Sequence, residues 1–159
     1  MNILVTGAKG FVGRNLCENL KNIRDQKNRT RPNIKIDEIY EYDIDSTARE
    51  LDEYCAKADF VFNLAGVNRP KDPAEFREGN FGFASTLLDT LKKHHNTCPV
   101  MLSSSIQATL AGRFGTSEYG LSKRAGEDLF FSYGEETGAK VLVYRFPNLV
   151  GKWVRPNYN

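Results

Sequence analysis

The sequence predicts an α/β domain built on a doubly wound parallel sheet, and three observations carry that expectation. Short apolar runs over residues 3–6, 60–66, 99–102 and 140–145 alternate with helical periodicities, the order that folds as strand–helix–strand units with right-handed crossovers. Residues 60–66 (Phe-Val-Phe-Asn-Leu-Ala-Gly) are apolar almost without interruption, as in a strand buried on both faces, which implies parallel pairing. Glycines 7, 10 and 13 follow the first apolar run and open the first helical pattern. The chain has 159 residues, 40% of them hydrophobic, enough for one well-buried core and too few for two ordinary domains.

In chain order, Ile3 to Thr6 form the first strand, and Val12, Leu16, Cys17, Leu20 and Ile23 then recur at helical spacing. In such a unit one glycine turns the chain, one lets the backbone approach a pyrophosphate, and one lets helix and strand pack closely. Phosphates favour the helix N-terminus because its N–H groups and dipole attract anions. Gly7, Lys9, Gly10, Phe11, Val12 and Gly13 therefore form a candidate dinucleotide loop in a Rossmann-like fold, set against the alternative of a purely structural turn. Residues 25–33 are polar and read as a surface insertion. A second strand is predicted over residues 34–42, anchored by Ile36, Ile39 and Tyr40, with Asp43 at its end. An acid there accepts hydrogen bonds from ribose hydroxyls and repels the extra phosphate of NADP, so Asp43 favours NAD. Asp43 also fits, with Glu41 and Asp45, an acidic cluster whose members are merely solvated or cap the following helix, and Arg14 is placed to meet a phosphate, so NADP stays open.

Thr47 and Glu50 have capping-box spacing ahead of a helix carrying Leu51, Tyr54 and Cys55. The stretch from Asp43 to Phe60 holds a helix but hardly a further strand, so the third strand of a standard dinucleotide fold is expected to be shortened or absent. After the loop at residues 68–70, a long helix is predicted over 75–95 with Phe76, Phe83, Leu87, Leu88 and Leu91 facing inward and Asn80 on it. His94 and His95 are adjacent, diverge on a helix and lack acidic or cysteine partners nearby, so no metal site is expected. The strand at 99–102 delivers Ser103, Ser104 and Ser105 to its C-terminal end, the edge where open parallel sheets bind ligands. A glycine-rich loop over 111–118 leads into a helix with Ala125, Leu129, Phe130 and Tyr133 as its packing face, closed by Gly138; the strand at 140–145 follows.

Tyr119 and Lys123 stand four apart on that helix, so phenol and ammonium project from one face. A phenol of ordinary pKa about 10 exchanges protons poorly at neutral pH, and a neighbouring cation favours its ionised form. Taken alone, such a pair is more often a solvated surface feature.

Charge and cysteine usage narrow the function classes. Twenty-two basic and twenty acidic residues leave a net charge of +2 without a basic stripe, so neither nucleic acid nor an anionic membrane is implied. Cys17, Cys55 and Cys98 are odd in number and far apart, which argues against a disulfide framework. The first residues run straight into glycines with neither a leader pattern nor a spanning segment, so a soluble, cytoplasmic protein is expected.

The ordered motifs Thr6 to Gly13, Asn63 to Gly66, Asn80, Ser103 to Ser105, Tyr119 to Lys123 and Arg145 to Asn148 resemble those of the extended short-chain dehydrogenase/reductases, the NAD-dependent epimerase/dehydratase family. Residues 64–70, 103–109 and 147–159 resemble more closely a group of capsular polysaccharide reductases in it, which reduce the 4-keto group of a UDP-linked 2-acetamido-2,6-dideoxy sugar and carry a C-terminal cupin domain. The resemblance implies that Tyr119 is the general acid, and that Lys123 holds the nicotinamide ribose and lowers the phenol pKa. It further implies that Ser105, or Ser104 if the register slips by one, orients the ketone, and that Asn80 supports a relay water. Leu64, Ala65, Gly66 and Pro147 would line the NAD(P) site, and Gln107 and Asn148 the substrate.

Because Ser105-Ile106-Gln107 lacks the Thr-Asp-Glu carboxyls of the 4,6-dehydratases, ketoreduction or epimerisation is favoured over elimination. The implied partner is a UDP-sugar, and a homodimer is allowed. Family members hold the sugar with a C-terminal lobe, so residues 1–159 are expected to be the cofactor domain of a longer enzyme, with little turnover of their own. The alternative from another class is a dinucleotide sensor or scaffold without catalysis.

Overall fold

A computed structural model describes residues 1–66, 72 and 77–156, with backbone alone for 77–79. Five strands, β1 (Asn2–Thr6), β2 (Glu38–Tyr42), β3 (Phe60–Asn63), β4 (Val100–Ser105) and β5 (Val141–Phe146), pair in parallel in the order β2-β1-β3-β4-β5. Among the described residues, four α-helices accompany them: α1 (Phe11–Arg24), α2 (Ala48–Lys57), α3 (Phe83–Lys93) and α4 (Glu118–Thr137). From β1 the chain winds outward to β2, then crosses to β3 on the other side of β1. This reversal opens a crevice at the C-terminal strand ends, where such sheets take their ligands. Among the described residues no strand lies outside β2, and α2 connects β2 to β3 directly, as the short interval between Asp43 and Phe60 implies.

Strand alternation sorts the core into two layers. Ile3 and Val5 face α1 and meet Cys17, Leu20, Ile23 and Ile36. Leu4, Val61, Val100 and Leu102 face α2, α3 and α4, against Leu51, Cys55, Leu87, Leu88, Leu91, Phe130 and Tyr133. Each fully buried Leu or Phe contributes about 1.5–3 kcal/mol before entropy is counted. Cys17 and Cys55 lie on opposite faces of the sheet, and all three cysteines are free thiols. No helix of the described residues is long and apolar enough to cross a membrane.

Four expectations need correction. β2 is half the predicted length because β1 is its partner and their register begins at Asn2 opposite Glu38; residues 34–37 lie below it, although Ile36 is buried under α1. β3 ends at Asn63 rather than residue 66: Leu64 N–H still donates to Thr6 O at 3.1 Å, and the chain then leaves the sheet. The helix predicted over 75–95 is a π-helical stretch, Arg77–Gly82, running into α3, with His94 as its C-cap. Gly79 and Gly82 lower the cost of that wider winding. Residues 75 and 76, the 68–70 loop and residues 157–159 lie outside the described residues. The inward stripe of α4 is Gly120, Lys123, Gly126, Glu127, Phe130 and Tyr133, so Ala125 and Leu129 sit at its margin and two charged side chains stand in the buried face.

Helix ends follow their chemistry. Thr47 Oγ1 accepts from Glu50 N–H at 3.1 Å and starts α2, and Ser117 Oγ accepts from Gly120 N–H at 2.9 Å and starts α4. Gly138, at φ 78°, ends α4 in the left-handed conformation.

Candidate active site at the carboxyl edge of the sheet

The glycine loop is shaped by contact. Gly7 has φ 70°, and a Cβ there would lie 2.7 Å from Ala65 N and Leu64 C. A Cβ on Gly13 would lie 2.1 Å from Gly7 O, so only glycine lets the first turn of α1 rest on the end of β1. Gly10 caps α1 without a side-chain acceptor, and the first turn holds no acid. The helix therefore presents its N–H groups and positive end to the crevice. Asp43, at the end of β2, accepts from Lys9 N–H (2.8 Å) through one carboxylate oxygen and from Ile44 N–H (2.7 Å) through the other. It thus braces the loop while each oxygen retains a lone pair. Lys9 Nζ is paired with Asp45.

Beneath the next strand ends, Thr6 Oγ1 donates to Asn63 Oδ1 at 2.5 Å, a fully buried polar tie between β1 and β3. Past Asn63 the chain reaches Gly66, which acts as a floor. A Cβ there would lie 2.6 Å from Asn80 Oδ1 and 3.2 Å from Lys123 Nζ, so Gly66, Asn80 and Lys123 meet at one point. Asn80 Nδ2 donates to Ser122 Oγ at 3.0 Å, which couples the π-helical stretch to α4. Lys123 Nζ donates to Ser103 O at 3.3 Å and lies 5.6 Å from the centre of the Tyr119 ring. The lysine is 8% exposed. Burial pushes its ammonium down to about 8, opposed by the negative charge of Glu127.

The three serines have different work. Ser103 offers its carbonyl to Lys123. Ser104 points to α4, where its hydroxyl donates to Glu127 Oε2 at 2.7 Å. Ser105 ends β4 and accepts from Gln107 N–H at 3.2 Å, capping a 3-10 turn over Ile106–Thr109. Ser104 is therefore committed to a buried carboxylate, whereas Ser105 stands at the rim of the edge. Gln107 accepts from the Ser117 hydroxyl at 2.7 Å, which ties its Oε1 to the cap of α4. Pro147 and Asn148 are exposed just beyond β5. The following residues return to α1: Leu149, Val150 and Gly151 line a hollow with Phe11, Val12 and Asn15, and Asn15 Nδ2 donates to Lys152 O at 2.8 Å.

The structure thus joins the glycine loop to Leu64 and Ala65, Asp43 to Lys9, Gly66 to Asn80 and Lys123, and Lys123 to Tyr119. The sequence reading missed Glu127, whose carboxylate is gripped by Arg145 through Nε (3.0 and 3.1 Å) and Nη2 (2.8 Å). The available signal was its place four residues after Lys123, on the stripe that Tyr119 begins. His94 Nε2 lies 3.0 Å from Asp52 Oδ1, at the C-terminal end of α3, the end opposite the Asn80 stretch.

A parallel sheet with a glycine-lined loop at its switch point and a buried lysine under a tyrosine at the same edge is the architecture of a dinucleotide-binding, Rossmann-like α/β domain. The chain belongs to the NAD dependent epimerase/dehydratase family, whose model matches residues 3–159. Over all 159 residues it is 42% identical to a UDP-2-acetamido-2,6-beta-L-arabino-hexul-4-ose reductase of Pseudomonas aeruginosa. Its fold superposes on the crystal structure of the capsular polysaccharide assembling protein CapF from Staphylococcus aureus with a TM-score of 0.77 at 41% identity, covering 100% of this chain. The chain spans 38% of the length of the first of these proteins and 37% of the second. A UDP-glucuronic acid 4-epimerase from Bacillus cereus, solved with NAD, shares the fold at 23% identity and a TM-score of 0.71, over 99% of this chain and 60% of that one.

Proposed function

We propose that residues 1–159 form the cofactor-binding and proton-donating part of an NAD(P)H-dependent 4-ketoreductase acting on a UDP-linked 2-acetamido-2,6-dideoxy-4-keto sugar, in the synthesis of a capsule or other surface polysaccharide. The observation that carries this reading is Lys123, buried and held on Ser103 O beneath the Tyr119 ring at the sheet edge that also bears the glycine loop. The 42% identity to a UDP-sugar 4-keto reductase supports the substrate class.

The residues present fit a dinucleotide. Gly7 and Gly13 let the loop and the first turn of α1 pack directly on the ends of β1 and β3, the uncapped first turn of α1 suits a pyrophosphate, and Asp43 retains acceptor capacity for a ribose diol. A bound reduced nicotinamide supplies the hydride. As the ketone becomes an alkoxide, Tyr119 donates the proton that completes the alcohol. Lys123 favours the phenolate that remains and anchors the ribose, Ser105 orients the carbonyl oxygen, and Asn80 holds a water that returns the proton to Tyr119. Pro147 would line the cofactor site, and Gln107 and Asn148 would meet the sugar nucleotide. The charge of Asp43 favours NADH. Residues 1–159 by themselves turn over little nucleotide sugar, because the wall that holds the sugar belongs to further chain of the kind that makes up the rest of its relatives' length.

A chimera tests the proposal. Residues 1–159 replace the matching 38% of the Pseudomonas aeruginosa reductase, and the hybrid is assayed with NADH and a UDP-linked 4-keto sugar. Formation of the 4-hydroxy sugar, lost on Tyr119→Phe, is expected. A folded hybrid that binds NADH without reducing the sugar contradicts it and favours a dinucleotide-binding scaffold.

A further inference from the structure

Glu127 is 2% exposed, beside the catalytic edge, and none of the roles assigned above uses it. It follows Lys123 by one helical turn, so both side chains leave α4 on the sheet-facing stripe. Three elements converge on it: α4 carries it, β4 supplies the Ser104 hydroxyl at 2.7 Å, and β5 supplies Arg145 as a two-pronged donor at 2.8–3.1 Å. Ser104 and Arg145 are themselves register partners in the β4–β5 ladder. The neighbouring residue Ser103 carries the carbonyl that receives Lys123. Two successive residues of β4 are therefore fastened to two successive turns of α4, one by each charged side chain, immediately before Ser105.

We propose that Glu127 is a positioning residue: its carboxylate, gripped by Ser104 and Arg145, holds Lys123 in place and in its charged form under Tyr119. The proposal rests on the reading of Tyr119 and Lys123 as the acid–base pair. Among the described residues, Glu127 is the charge that acts on the lysine. β4 presents serines to Lys123, while the turn after β3 and the π-helical stretch present Gly66 and Asn80. Tyr119 is the titratable neighbour on its own helix, and Arg124 and Asp128 pair with each other on the outer side of α4 at 3.7 Å. Arg145 reaches the site through Glu127, whose hydrogen bonds raise its guanidinium pKa further. Burial works against the lysine's charge and Glu127 works for it.

A merely structural latch would depend on the hydrogen bonds, whereas the proposed device depends on the charge, so the test separates them. The chain is labelled with [ε-13C]lysine, Lys123 is assigned by its loss in Lys123→Arg, and its titration is followed by NMR. In Glu127→Gln, which retains an acceptor for Ser104, the Lys123 midpoint falls by roughly one pH unit. In Ser104→Ala, which removes the hydroxyl and retains the charge, it stays where it was. If Glu127→Gln fails to fold, Glu127→Gln with Arg145→Met removes both charges at once, and a smaller fall in the same direction is expected. An unmoved midpoint in the neutral variants, or an equal fall in Ser104→Ala, overturns the proposal. NADH titration of the same samples reports separately on the dinucleotide reading, because loss of NADH binding with a charge-dependent Lys123 midpoint would refute that reading and leave the role of Glu127 intact.

Discussion

Lys123 is costly to the fold and useful to the site. Its ammonium titrates near 8 in the folded chain against an ordinary 10.5, so the unfolded chain binds this proton more tightly. Below pH 8 both states are protonated and the folded one bears the full penalty; between 8 and 10.5 the penalty shrinks as the folded lysine deprotonates first; above 10.5 it is gone. Lys123→Met should therefore raise the unfolding free energy by on the order of 3 kcal/mol at pH 7, a gain that fades by about pH 11. Paired denaturant melts across that range measure the difference directly. Tyr119→Phe has the opposite profile. It should lower kcat in the chimeric reductase by roughly 10²–10⁴-fold and leave NADH affinity nearly unchanged, because the ring that covers Lys123 remains. Asp43→Asn keeps an acceptor for Lys9 N–H and gives up the one for Ile44 N–H, a modest local cost, while it removes the charge that repels a 2′-phosphate. The ratio of NADPH to NADH affinity should rise, as read by titration with each cofactor.

Elements fix where these side chains stand. The close contact of α1 with the end of β1 depends on Gly13, and Gly13→Ala pushes a methyl group into Gly7 O. A loss of about 1–3 kcal/mol in stability together with loss of cofactor binding is expected, by thermal melting and NADH titration. The loop–helix unit was legible in the sequence because its glycine spacing is local. The Tyr119–Lys123 pair was legible for the same reason, since four residues on a helix determine a common face. Glu127 was not, because its partners lie on two strands and an acid amid polar helix residues reads as solvated until β4 and β5 close over it. The length of β2 was hidden likewise, since its extent is set by where β1 begins to pair. The π-helical winding at Asn80 leaves no clear mark beyond two glycines, yet it brings Asn80 to Gly66 and Ser122.

At the scale of the whole molecule, alternating strands and helices with parallel pairing and a shortened interval after β2 are enough to produce the β2-β1-β3-β4-β5 order, and that order puts every proposed contributor at one edge. β1 delivers the glycine loop, β2 delivers Asp43, β3 leads to Gly66, β4 delivers the serines and β5 leads to Pro147 and Asn148. The sheet brings together the proposed cofactor loop and the proposed proton donor, while the chain spans 38% of the length of the reductase it resembles. The claim on which all else depends is that this edge holds a dinucleotide. Calorimetric titration of residues 1–159 with NADH tests it most directly: saturable one-to-one binding that is lost in Gly13→Ala is predicted, and a chain that is folded yet binds neither NADH nor NADPH would contradict it.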